Sequence, residues 1–328
     1  MSATTSERLK IPCTIMRGGT SKGIILLREN LPEKQAERDR VLLRLFGSPD
    51  CRQIDGLGGA DPLTSKVAIV GPPTRPDADI DYTFGQVGIE KGYVDYAGYC
   101  GNILAGVAAY AVDEGFVATA GDRVTVRVNM TNTCRVVRAD VPVRNSRFRP
   151  DGDLAISGVP GTGAAITLDF ADTAGSASGQ VLPSGNAVDV LNVPCYGPVE
   201  VSVVDVGNAM VFARLSDFDV DPEHGPDELD QRGDLIAQVE ALRRTATEKF
   251  DLTMPDGSVS ENIPLVALVG PAHDYVAYGS RETVQAQTID FISREFFAGR
   301  LHKAYGIGET VCTAAAAMIE NTVVHAAA

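Results

Sequence analysis

The chain has 328 residues, 44% of them apolar, and a formal net charge of −14 from 29 basic and 43 acidic side chains. That length fits two domains of ordinary size, and the charge argues against nucleic acid or an anionic lipid surface as partner. No apolar run reaches the roughly 18 residues that a membrane span needs, and "MSATTSERLKIPC" carries no basic-plus-apolar leader, so a cytoplasmic location is expected.

Taken in chain order, "IPCTIMRGG" and "KGIILL" read as two strands around a Gly-Gly turn. "RDRVLLRLFG", from Arg38, has helical spacing and stops at Gly47. "SKVAIVG" and "DIDYTFGQVGI" read as strands. Cys100 to Glu114 reads as an Ala-rich helix closed by Gly115. "RVTVRVNM" and "TCRVVRADVPV" form a hairpin, and "AAITLDF" a further strand. Residues 171–189 are Gly/Ser-rich and read as a linker.

The second half starts again. "VEVSVVDVGNAMVFARL" is strand, Gly-Asn turn, strand; "ELDQRGDLIAQVEALRRTATEKF" is an amphipathic helix; "NIPLVALVG" is a strand. "TVQAQTIDFISREFFAG" reads as helix, and "GIGETVCTAAAAMIENTVV" as a second Ala-rich helix headed by Cys312. The order of elements in the halves matches, which is the mark of an internal duplication. A helix apolar on most sides has to be wrapped by other structure. The predicted fold is therefore α+β: two pseudo-symmetric domains, 1–186 and 187–328, each a curved mixed sheet around its Ala-rich helix. The cleft between them is the expected ligand site.

Three stretches carry candidate chemistry. Cys100 with Gly101 and Asn102 heads a helix, where the dipole and free N–H groups favour a thiolate or a bound carboxylate. The same thiol is equally a small space-filler where helix meets sheet. Cys312 suggests a two-thiol racemase, but Thr-Ala-Ala-Ala follows it instead of Gly-Asn. Lys66 closes "GLGGADPLTSK" as an apolar strand begins. It is either solvated at the strand end or held in a partly dry cleft, where burial disfavours an ammonium and makes an amine a usable base. Thr64 and Ser65 beside it add donors. In "MRGGTSKG", Arg17 with Gly18, Gly19, Thr20 and Ser21 forms a small anion nest or a plain hairpin turn. The order is not that of a phosphate loop. Asn208 in "VGNAM" is its counterpart in the second half. The four histidines show no metal-ligand spacing, and of them only His302 lies near a candidate anion loop. Neither metal nor cofactor is expected.

"PCTIMRGGTSKG", "GSPDCRQIDGLGGADPLTSK", "CGNILAG" and "GRLHKAYGIGETVCTAAAAM" together resemble the PrpF-like family, from about Pro12 to the last residues. These are methylaconitate and methylitaconate isomerases and 4-oxalomesaconate tautomerases of diaminopimelate-epimerase-like fold. The motifs look closest to the 4-oxalomesaconate branch. The resemblance implies a cofactor-independent 1,3-proton shift in 4-oxalomesaconate, giving 2-keto-4-carboxy-3-hexenedioate in lignin-aromatic catabolism. The alternatives are cis-trans isomerisation of 2-methylaconitate and non-catalytic tricarboxylate binding. It also implies Lys66 as base, Cys100 as the active-site thiol and carboxylate-binding loops that include Gly308 and Thr310. A small tricarboxylate is the expected partner, and a homodimer is one assembly open to the chain. The chain departs from the family pattern at "GETV", where Glu309 would repel an anion unless it points away. The resemblance also implies further strands following the Ala-rich helix, beyond Ala328.

Overall fold

A computed structural model describes residues 9–252 and 260–328. Residues 1–8, read above as lacking a leader, lie outside the described residues. The first sheet has nine strands. They are β1 (Thr14–Gly18), β2 (Ser21–Leu27), β3 (Lys66–Gly71), β4 (Ile80–Val87), β5 (Val94–Asp95), β6 (Arg123–Met130), β7 (Arg135–Arg144), β8 (Arg147–Phe148) and, beyond the short hairpin β9 (Leu154–Ala155) and β10 (Thr162–Gly163), β11 (Thr167–Asp169). Helix α1 (Gln35–Phe46) connects the parallel pair β2 and β3. Helix α2 (Gly101–Asp113) connects the parallel pair β4 and β6.

The second sheet runs in the order β12 (Asp189–Val193), β13 (Gly197–Val206), β14 (Asn208–Arg214), β15 (Leu265–Pro271), β18 (Phe291–Phe297) and β19 (Arg300–Leu301). Helices α3 (Pro226–Leu229) and α4 (Gly233–Lys249) link the parallel strands β14 and β15. The hairpin β16 (Tyr275–Val276) and β17 (Thr283–Val284) follows β15, and helix α5 (Ile307–Met318) follows β19. The repeat is thus visible as strand pair, outer helix, parallel strand, antiparallel strand, inner helix.

Alternation along each strand decides what faces what. Ile24, Leu26, Val67 and Ile69 face α1, packing on Leu42 and Phe46. Ile25, Ala68, Val70, Tyr82 and Phe84 face α2, whose residues 101–112 are all buried. Because β3 is covered on both sides, its sequence after Lys66 is a continuous apolar run with no polar alternation. In the second unit, Val211, Val266 and Leu268 face α4, whereas Met210, Phe212, Leu265 and Ala267 face α5.

Three readings of the sequence need correction. The stretch 283–299 is not a helix: it contains β17, a single 3-10 turn at Ala286–Thr288 and the strand β18. Pairing with β15 decides this, from Val266↔Phe296 to Pro271↔Phe291. Cys312 does not head its helix; Gly306 is the N-cap of α5, and Cys312 lies in its interior. The Gly/Ser-rich stretch 171–189 is held against the second sheet, where the Asp205 carboxylate accepts from the backbone N–H groups of Ala177 and Ser178. No helix among the described residues is long and apolar enough to cross a membrane.

Candidate functional site

The same alternation that buries the core carries polar side chains into one cleft. Lys66 shares the parity of Ala68 and Val70, so it faces α2. Phe84 and Gln86 share the parity of Tyr82 and face the same way. From the second unit, Asn208 shares the parity of Met210, and Glu295 and Phe297 share that of Phe291. These residues surround a cavity of about 30 Å³, lined also by Ser21, Cys100, Asn102, His302 and Glu309. Helices α2 and α5 meet head to head at its wall. A Cβ on Gly101 would sit 3.1 Å from Ile307 Cβ and 3.2 Å from the Gly308 nitrogen. Two helix N-termini therefore converge on one point, where the dipoles of both helices favour an anion.

Lys66 is 4% exposed. Its Nζ donates to Gln86 Oε1 at 2.8 Å and lies 4.7 Å from the ring centre of Phe297 and 5.2 Å from that of Phe84. Gln86 is fixed in turn, because its Nε2 donates to the carbonyls of Ser65 (3.1 Å) and Pro62 (3.2 Å). Ser65 Oγ donates to Gln53 Oε1, and Thr64 Oγ1 to the carbonyl of Asp61. The hydroxyls of Thr64 and Ser65 hold this loop; they do not line the cleft.

Cys100 is the N-cap of α2 and lines the cavity. Its carbonyl accepts from Leu104 N and from Tyr82 Oη. Cys312 is fully buried away from the cleft, with its Sγ donating to the Val204 carbonyl at 3.2 Å. Burial pushes that thiol well above its ordinary range. A two-thiol arrangement across the cleft is absent, since Gly306 holds in α5 the place that Cys100 holds in α2.

The turn "GGTS" divides between two tasks. Gly18 and Gly19 pack against the first turn of α2, where a Cβ on either would collide with Asn102. The Thr20 N–H donates to Asn102 Oδ1 at 3.1 Å. Ser21 Oγ is buried with no hydrogen-bond partner among the described residues, and Ser21 lines the cleft. Arg17 donates to the Gly19 carbonyl and lines a separate depression of about 150 Å³ beside α2. On the other side, Asn208 Nδ2 donates to the Tyr99 carbonyl and to Glu309 Oε1. Thr310 Oγ1 turns back to the Gly306 carbonyl. His302 Nδ1 accepts from Ala304 N. Burial, helped by the charge of Lys66, pushes the His302 imidazole down to about 4, so it is neutral at pH 7.

Gln86, Phe297 and Glu295 were missed in the sequence, and Glu309 was read there only as an obstacle. The signal for Glu295 was available: an acidic residue inside the apolar run "FISREFF".

Residues 8–328 match the family model described as PrpF protein. The (4E)-oxalomesaconate Delta-isomerase of Novosphingobium sp. (strain KA1) is 43% identical, over 95% of this chain and 81% of that relative. The solved structure of a methylitaconate-delta-isomerase is 46% identical, with a TM-score of 0.75 over 97% of this chain and 82% of that one. A hydroxyproline epimerase from Agrobacterium vitis aligns at a TM-score of 0.57 and 12% identity, covering 95% of this chain and 78% of that one, a likeness of fold alone.

Proposed function

The chain belongs to the PrpF family and is an isomerase, and on that premise we propose that it moves a carbon–carbon double bond by a 1,3-proton shift in 4-oxalomesaconate. The observation that carries this reading is the placement of Lys66: an amine out of water, held by Gln86 between two aromatic rings, at the wall where two helix N-termini converge. Lys66 takes a proton from the carbon next to the unsaturated carbonyl system. The electron pair of the broken C–H bond spreads over the conjugated system as a dienolate. Ser21, Asn102 and the first-turn N–H groups of α2 and α5 stabilise the negative charge as it develops. A proton then adds at the far carbon, and the double bond has moved. Lys66 and Cys100 both line the cavity from which that proton returns.

A second reading has one observation in its favour. Among the described residues, the cleft lining contains a single lysine, no arginine and two glutamates, a charge balance easier on a dicarboxylate of the methylitaconate kind than on a tricarboxylate. Proton NMR in deuterium oxide, with 4-oxalomesaconate, 3-methylitaconate and 2-methylaconitate compared side by side, separates the readings. It reports which substrate turns over and which carbon gains deuterium. Clear preference for either of the other two would overturn the 4-oxalomesaconate assignment. Lys66→Met should lower kcat by roughly 10²- to 10⁴-fold, the usual contribution of a positioned base, while circular dichroism stays unchanged. A variant near the wild-type rate removes Lys66 as the base.

A further inference from the structure

Two carboxyl groups meet at the head of α5. Glu295 projects from the inner face of β18 and accepts from the Gly306 N–H at 3.0 Å. Glu309, in the first turn of α5, reaches back over the same residue, so that a Cβ on Gly306 would collide with its Oε2. Both side chains are buried, and both line the cavity that Lys66 enters. Glu309 Oε1 accepts from Asn208 Nδ2 at 2.6 Å. Neither carboxyl belongs to an ion pair among the described residues: the acidic partners at this side of the cleft are Asp61 and Glu90, on Lys303 and Arg300.

This arrangement is at odds with an anionic substrate unless its charge can change. Two unpaired carboxylates in a dry site repel each other and any carboxylate placed beside them. One proton on the pair removes a negative charge and converts an acceptor into a donor. We propose that Glu295 and Glu309 form a proton-holding pair that receives a substrate carboxylate, so that the substrate binds together with a proton taken from solvent. The proposal rests on the reading of the cleft as a polycarboxylate site.

The titratable groups facing the pair come from several elements. Lys66 arrives from β3, Tyr99 and Cys100 stand ahead of α2, His302 and Tyr305 lie between β19 and α5, and Cys312 is within α5. Burial keeps Tyr99, Tyr305 and Cys312 protonated and neutral, and keeps His302 deprotonated and neutral. Burial raises Glu295 and Glu309 each to about 7, Glu309 with further help from the charge of Glu295. The pair therefore changes charge close to neutral pH and titrates as a unit.

Tricarballylate, a saturated tricarboxylate with no double bond to move, serves as the probe. Its binding is followed by titration calorimetry at about pH 8 in buffers of different ionisation enthalpy. The wild type should take up close to one proton per ligand, and affinity should fall by up to about tenfold per pH unit above neutrality. Glu309→Gln and Glu295→Gln keep the bonds from Asn208 and Gly306 and should each abolish most of the uptake. Binding without proton uptake, or uptake undiminished in both variants, overturns the pair. Absence of binding at every pH overturns the polycarboxylate reading instead. The pair is then judged in the ligand-free protein labelled with carbon-13 glutamate. A carboxyl titrating near neutrality and lost in both variants supports it; every glutamate titrating in the ordinary acidic range overturns it.

Discussion

Gln86 decides where the Lys66 amine sits. It is itself held by two backbone carbonyls, so the amine is positioned by the loop 53–65 at one remove. Gln86→Leu keeps the volume and removes the acceptor. A hydrogen bond between neutral groups contributes about 0.5–1.5 kcal/mol, so kcat should fall by roughly two- to tenfold with KM little changed. A comparable rise in KM alone would mean that Gln86 binds substrate and does not position the lysine. His302 leads to a pH prediction of defined sign. Its folded value is about 4 against an ordinary 6.5, so below pH 6.5 the unfolded chain binds a proton that the folded one refuses. The stability it contributes is present above pH 6.5 and is lost as pH falls through about 4, by at most about 3 kcal/mol. Thermal melts of His302→Gln should accordingly be less sensitive to acid in that window. Equal sensitivity would show that the imidazole is wet or otherwise paired. None of this could be read from "RLHKAYGIG", because the ring packs beside Phe297 and feels Lys66 and Glu309 from other elements.

At the scale of elements, most of the fold was legible. Strand pairs around "GG" and "GN" turns, the α1 stop at Gly47 and both Ala-rich helices follow from periodicity and turn chemistry that act over a few residues. The error at β18 has a physical cause. Ile292 and Phe296 fall four apart and read as one face of a helix, yet they are equally two steps of a strand whose other face carries Phe291, Ser293, Glu295 and Phe297. Only the partner strand β15 settles which period holds. The same error hid Glu295, since a carboxyl on a helix reads as solvated and one on an inward strand face does not. The first turn of α2 was legible as a helix start with a candidate anion site, which stays a proposal, whereas its packing on the neighbouring hairpin was not legible. Gly18 lets the β1–β2 turn lie against the Asn102 carbonyl. Gly18→Ala puts a methyl group into that backbone contact, and neither the turn nor the helix can yield cheaply. The variant should lose about 1–3 kcal/mol of stability, the range for overpacking. Substrate affinity should drop as well, because Ser21 and Asn102 move apart. A denaturant melt together with KM checks it; a wild-type melt would show that the turn can shift freely.

Across the whole molecule, the cavity between the two sheets sets a requirement. Side chains from both units line it, so the site is complete only when the two units sit against each other as they do here. Among the described residues, three ion pairs bridge them: Lys303–Asp61 at 3.0 Å, Arg300–Glu90 at 3.0 Å and Lys91–Glu261 at 3.7 Å. They are not equal. The Arg300–Glu90 and Lys91–Glu261 side chains are 43–77% exposed, so screening leaves each pair with less than about 1 kcal/mol. Asp61 is 22% exposed and Lys303 34%. Asp61 also caps the turn that leads into Lys66, accepting from Leu63 N at 2.8 Å. The Lys303–Asp61 pair thus ties the loop carrying the proposed base to the segment carrying His302, so the contact between the units also holds the turn that leads into Lys66. Lys303→Met should lower kcat/KM by about tenfold, whereas Arg300→Met should change it less than about threefold. The wild-type value should fall with added salt, and the Lys303→Met value should not. Equal losses in the two variants, or a salt response that survives in Lys303→Met, would mean that the contact between the units depends on the charged rim as a whole and not on the one pair joined to the Lys66 loop.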